Sequence, residues 1–187
     1  MGTCRNCERS GWFLSITSDG LCHDCQNGIN LEVTNRVRIV KESEEIIERS
    51  KNLSTKVSRA ECIIQRLEGL LRYENKGIPT IKPAPSALLA QWQEKKDVII
   101  LDDINAALNV ANAKAVSSKS DKLKHRAFIR VFSKIMTFGN KLTDPTVLDR
   151  VRDMVLRTTL ELEERIKNSK PGLVKKNSMP DNTELPR

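Results

Sequence analysis

Apolar residues recur at helical spacing along most of this chain. Between Gly28 and Ser50, Val33, Val40 and Ile47 repeat every seven residues, with Ile39, Ile46 and Leu53 beside them. Glu44, Glu48, Arg49 and Lys51 form the wet side of the same stretch. Asn52-Leu53-Ser54 interrupts the run, and Ser54 or Thr55 can cap the next helix. There Val57, Ala60, Ile64, Leu67 and Leu71 alternate spacings of three and four, and Ile63 and Leu70 widen the stripe. Asn75-Lys76-Gly77 ends it.

Pro79, Pro83 and Pro85 then exclude helix and favour a stiff, extended linker. A short helix over 87–92 follows. Three longer ones come next: Asp97 to about Val116, Lys122 to about Phe138, and one opening at Thr143-Asp144-Pro145 and running to about Ile166. The first of these turns Val98, Leu101, Ile104, Leu108 and Ala111 inward. The last turns in Val147, Val151, Met154, Val155, Leu162 and Ile166. A faint echo relates Ser54–Ala60 to Ser120–Arg126, and Ile63 and Ile129 keep the same offset. The pattern divides the chain into a small module over 1–30, a helical hairpin over 31–77, a linker over 78–86, a helical domain over 87–169 and a disordered polar tail over 170–187. The fold class is mainly α, with antiparallel helices in hairpins or a bundle, and the seven-residue repeats suit coiled-coil packing.

The small module carries the chemistry. Cys4-Arg5-Asn6-Cys7 and Cys22-His23-Asp24-Cys25 are two C-x2-C pairs separated by 14 residues. Each pair can bite one metal ion, and two pairs close a tetrahedron. Four sulfurs suit one structural Zn2+ with no open position. Trp12–Thr17 between them is β-prone, and Ser18-Asp19-Gly20 signals a turn, so a hairpin is expected there. A piece this small cannot bury enough apolar surface to fold alone, and the metal supplies the difference. Two disulfides would need an oxidising compartment, and a redox C-x-x-C would need a βαβ context; neither setting is legible here. His23 reads as an exposed loop histidine and Cys62 as a plain, partly buried thiol.

The order of knuckle, hairpin, second C-x2-C and helix resembles the treble-clef and zinc-ribbon group of zinc modules. In treble clefs the second cysteine pair sits in the first turn of a helix, and Cys22 and Cys25 lead into the first helical pattern. The resemblance covers about residues 1–30. Gly11-Trp12-Phe13-Leu14 ahead of Asp19-Gly20-Leu21-Cys22 also resembles the cysteine-rich leader of various uncharacterised bacterial proteins.

Charge narrows the partner. The chain carries 32 Lys and Arg against 24 Asp and Glu, a net +8. Residues 1–27 run against that trend, with Arg5 and Arg9 facing Glu8, Asp19 and Asp24. Four thiolates around a Zn2+ would bring the module to about −3. The excess sits in 121–142, where Lys122, Lys124, Arg126, Arg130, Lys134 and Lys141 face Asp121 alone. Lys122, Arg126, Arg130 and Lys134 are spaced by four and form one ridge that could track phosphates, with Phe128, Phe132 and Phe138 as candidate stacking groups. The competing reading places those phenylalanines with Ala127, Val131, Ile135 and Met136 in a core face, leaving the ridge as its solvated side.

No nucleophile elbow or Gly-rich phosphate loop is present, and Asp102-Asp103 point in different directions on a helix. No apolar run approaches the roughly 18 residues that cross a bilayer. The sequence therefore predicts a cytoplasmic, non-catalytic zinc-containing adaptor that binds a protein partner, with no membrane and no small-molecule substrate. The alternative is a nucleic-acid-binding regulator using the basic helix over 121–141.

Overall fold

The computed structural model describes residues 2–12 and 14–169. The expected tail over 170–187 lies outside them. Two short antiparallel strands, β1 (Gly2–Thr3) and β2 (Ser10–Gly11), pair Gly2 with Gly11 and Thr3 with Ser10. Five helices follow: α1 (His23–Arg49), α2 (Leu53–Glu74), α3 (Pro85–Ser117), α4 (Asp121–Phe138) and α5 (Asp149–Asn168). Successive helices pack on one another, α1 on α2, α2 on α3, α3 on α4 and α4 on α5. None is long and apolar enough to cross a membrane.

Local chemistry explains the boundaries. Ser50 ends α1, and its Oγ accepts from the Asn52 amide at 3.1 Å. Asn52 then caps α2 through Oδ1, which accepts from the Thr55 amide at 3.3 Å. The cap is therefore two residues ahead of Ser54, because an asparagine in extended backbone reaches the third amide of the helix. Gly77, at φ +66°, turns the chain beyond α2. Pro85 occupies the first turn of α3, where its missing N–H costs nothing. No side chain at Ala84 caps that helix. Glu74, at the end of α2, does so instead, accepting from the Ser86 amide at 2.9 Å and the Ser86 hydroxyl at 2.5 Å.

Several expectations are corrected by the packing. The short helix over 87–92 and the helix from Asp97 are one continuous α3. Gln93-Glu94-Lys95-Lys96 interrupts the apolar stripe but consists of good helix formers, so the backbone continues. On α3 Ile104 and Ala111 are buried as expected, but Ile100 is fully buried in place of the expected Val98, and Val98 is 49% exposed. Pro145–Leu148 forms a 3-10 turn, capped by Asp144 Oδ1 accepting from the Thr146 amide at 3.0 Å, and α5 starts only at Asp149. Val147 and Met154 face outward there; Val155 and Leu162 are buried. Ile63 is buried but Ile129 is 45% exposed, so the apparent repeat has no counterpart in packing.

Among the described residues, three apolar clusters make up the core. Val57 of α2 packs with Ile100, Ile104, Phe128, Val131, Val155 and Leu162 of the later helices. Trp92 of α3 joins Ile47, Ala60, Ile63 and Leu67 of the α1–α2 hairpin. The core thus runs across the proline segment, and α2 shares side chains with both sides. Lys141 Nζ, donating to Glu61 at 2.9 Å, adds a link between α2 and the turn beyond α4.

Ile100→Ala should cost about 2–5 kcal/mol of stability, the usual range for emptying a buried aliphatic site. Val98→Ala should change it by less than about 0.5 kcal/mol. Chemical denaturation of the two variants checks the assignment; a larger loss at Val98 would reverse the orientation of α3.

Candidate metal centre

The first C-x2-C lies in the turn that joins β1 to β2. The Cys4 amide donates to the Arg9 carbonyl at 3.0 Å and the Glu8 amide to the Cys4 carbonyl at 2.8 Å. Glu8 takes a positive φ of 62° to close this loop. The expected hairpin of this module is present as β1 and β2, around the first knuckle. Over 12–17 the described residues make one bridge, Ile16 to Cys22, and Trp12 is 83% exposed. The strands flank the first knuckle because the loop through Cys4 and Cys7 itself reverses the chain. The Ser18-Asp19-Gly20 turn does form. The Gly20 amide, at φ +74°, donates to the Thr17 carbonyl at 2.9 Å, and the Thr17 amide donates to the Leu21 carbonyl at 2.8 Å.

This turn delivers Cys22 to the N-cap of α1 and places Cys25 in its first turn. His23 opens the helix and is exposed, with Nε2 3.1 Å from Asn27 Nδ2. It stands outside the sulfur cluster. Cys62 lies on α2, also apart from the cluster.

The sulfurs of Cys4, Cys7, Cys22 and Cys25 all lie within 4.8 Å of one another. Cys7 and Cys22 are 3.8 Å apart, too far for a disulfide and suited to two ligands of one ion. Polar hydrogens are aimed at the sulfurs. The Cys22 amide donates to Cys4 Sγ at 3.3 Å, and Asn6 Nδ2 donates to Cys25 Sγ at 3.5 Å. The Cys7 amide, with help from those of Cys22 and Asn6, holds the Cys4 thiol down at about 6 despite its burial. At Cys25 the Asn6 donor also favours the thiolate, but burial and the neighbouring sulfurs outweigh it and push the thiol up to about 12. Four thiolates this close would repel one another. A divalent ion bound by all four would supply the missing positive charge, and the N-terminus of α1 adds a favourable partial charge at Cys22 and Cys25.

The cluster is fastened to the end of the α1–α2 hairpin. Cys4, Leu21, Cys22 and Ile29 pack with Leu70, Tyr73 and Ile78. Lys76 Nζ donates to the Asn6 carbonyl at 2.9 Å, and Arg5 Nη1 to the Gly77 carbonyl at 3.4 Å. Next to this contact, Glu32 on α1 accepts from Tyr73 Oη at 2.6 Å and Arg36 Nε at 2.8 Å, and pairs with Arg72. Arg36 Nη1 also donates to the Arg66 carbonyl at 3.2 Å. It crosses α2 at Gly69, where a Cβ would sit 2.2 Å from Nη1. Sequence reasoning passed over Glu32, Arg36, Arg72 and Tyr73. Glu32 and Arg36, four apart on one helix, are the only local signal of this network. A cleft of about 490 Å³ opens beside the sulfurs, lined by Cys7, Cys22, Cys25, Gly28, Glu32 and Tyr73 among others.

No family model, curated protein or solved structure matches this chain.

The basic ridge is only partly free. Lys122, Arg126 and Arg130 are exposed, but Lys134 is paired with Asp103 of α3. Phe128 is buried, and Phe132 and Phe138 pack partly buried against the same core. Met136, expected in that face, is exposed.

Two outcomes test the site. Burial opposes ionisation of Glu32, but its donors Tyr73, Arg36 and Arg72 win and hold its carboxyl below the ordinary range. Its stabilisation is therefore complete above about pH 5 and lost as pH falls through the lowered value. The stability gap between wild type and Glu32→Gln should be widest near neutrality and close on acidification; a gap that widens in acid would contradict the network. Separately, Cys22→Ser should deprotect the amides around Ile29 and over 70–78 in hydrogen exchange, while the Ile100, Val131 and Val155 amides stay protected. Uniform loss across α3–α5 would show that the centre holds up the whole fold.

Proposed function

We propose that the four cysteines hold one structural Zn2+ and that the protein is a non-catalytic, cytoplasmic adaptor acting through protein–protein contacts. The metal reading is carried by the convergence of four sulfurs from two C-x2-C pairs within 4.8 Å. A set of four thiolates is closed, with no position for water or substrate, so the ion would stabilise and not react. The knuckle, the N-cap position of Cys22 and the helix that follows support a treble-clef-like module. In this reading the residues that hold the ion are Cys4, Cys7, Cys22 and Cys25. Asn6 and the Cys22 amide orient and neutralise the sulfurs, as outer hydrogen-bond donors do in thiolate sites.

An adaptor role is favoured over nucleic-acid binding by two observations. Of the phenylalanines of α4 that could stack on bases, Phe128 is buried in the core and Phe132 and Phe138 pack partly buried against it. One of the four ridge cations, Lys134, is already neutralised by Asp103. A protein partner instead has exposed apolar residues to meet, including Val110, Leu123, Leu156 and Leu160.

Elemental analysis of protein purified without added metal should give one zinc per chain. A metal-free protein with its four thiols paired as disulfides would remove the basis of the reading. Affinity purification with and without nuclease should recover the same protein partner. Should nucleic acid bind, replacing Lys122, Arg126 and Arg130 by alanine should lower the logarithmic salt slope by about one per lost phosphate contact. Tight, sequence-specific binding unaffected by that change would overturn the adaptor reading.

A further inference from the structure

Antiparallel α3 and α4 leave a groove of about 290 Å³ on one side of their hairpin, lined by these two helices alone. Ala106, Ala107 and Val110 of α3 and Ala127 of α4 make its floor. Val110 is 55% exposed, a β-branched apolar side chain with nothing packed over it among the described residues. The charged lining residues are Asp103, Lys114, Arg130 and Lys134. Lys134 and Asp103 pair and close one end. Lys114 and Arg130 make no ion pair among the described residues, and Arg126, one turn before Arg130, is exposed beyond them.

Shape and charge together restrict the occupant. Residues 103 to 114 of α3 span about 16 Å, or three helical turns. Alanines let a third helix approach a two-helix groove closely, at the short end of helix-packing distances. The unpaired cations on both walls call for carboxylates on that helix. Phosphates would satisfy Lys114 and Arg130 but leave Val110 and the alanines uncovered, and would meet the Asp103 carboxylate.

We infer that this groove docks an acidic amphipathic helix of a partner protein, its apolar side on Val110, Ala106 and Ala107 and its carboxylates on Lys114 and Arg130. The inference rests on the adaptor reading and gives that partner its chemistry. Recognition is then of the helix-in-groove kind, with anchors at i, i+3 or i+4, and i+7. Charge on both walls sets the partner's sign and speeds association.

The test is selection from a displayed library of randomised helical peptides of about 14 residues on the full zinc-loaded chain. Enriched peptides should combine that apolar spacing with flanking Asp and Glu. The double variant Lys114→Glu/Arg130→Glu should weaken them by at least about tenfold, and peptides with those acids changed to Lys should recover binding to the variant. Both substituted positions are exposed, so unchanged circular dichroism serves as the folding control. No enrichment, enrichment without acidic bias, or failure of the charge swap would overturn the groove assignment. If the enriched peptides bind the variant as well as wild type, a partner docks elsewhere and the adaptor reading survives. A 20-base-pair RNA or DNA duplex that displaces the peptides, and loses binding in the variant, would overturn both.

Discussion

Four sulfurs held within 4.8 Å of one another would repel as thiolates, and a cation among them would offset that repulsion. The opposed behaviour of Cys4 and Cys25 is the expression of this constraint. Backbone N–H donors lower the Cys4 thiol; at Cys25 desolvation and the neighbouring sulfurs outweigh the Asn6 donor and raise it. A divalent ion would remove this repulsion and turn the cluster into a cross-link between the two C-x2-C pairs. The two-residue strands β1 and β2 are too short to hold the module together alone.

The consequence extends into the helices. Cys22 is at once a candidate ligand, the N-cap of α1 and part of the apolar cluster that includes Leu70, Tyr73 and Ile78. A change at the sulfurs is therefore felt where α1 meets the end of α2. There Glu32 gathers Tyr73, Arg36 and Arg72 at partial burial, where hydrogen bonds to a carboxylate count for more than at an open surface. Farther on, α2 lends Val57 to the core of α3–α5. The cysteine cluster thus packs directly against one end of the α1–α2 hairpin, while α3–α5 have an apolar cluster of their own.

The cysteine spacing was legible because C-x2-C fixes two ligands within reach of one ion whatever the intervening chain does. The amphipathic stripe of α2 was equally plain: Val57, Ala60, Ile63, Leu67 and Leu70 are all buried. Reading failed where two patterns competed. The polar run 93–96 looked like a gap between helices because periodicity tracks side chains, not backbone continuity. The inward placement of Val98 on α3 had the same origin: Val98 and Ile100 are both apolar, and only the position of α2 and α4 around the helix selects Ile100. The Trp12–Thr17 run was β-prone in composition, but the reversal at the first knuckle used the available pairing. The ion pair of Lys134 with Asp103 and the contacts of Glu32 with Arg72 and Tyr73 join residues more than 30 positions apart on different helices, and no local pattern reveals such partners.

In the proposed site one metal ion is bound by these four sulfurs and nothing else. X-ray absorption at the zinc edge of the purified protein addresses it directly. A single shell of four sulfurs at about 2.3 Å is expected. A shell containing nitrogen or oxygen, or no zinc signal above background, would contradict it.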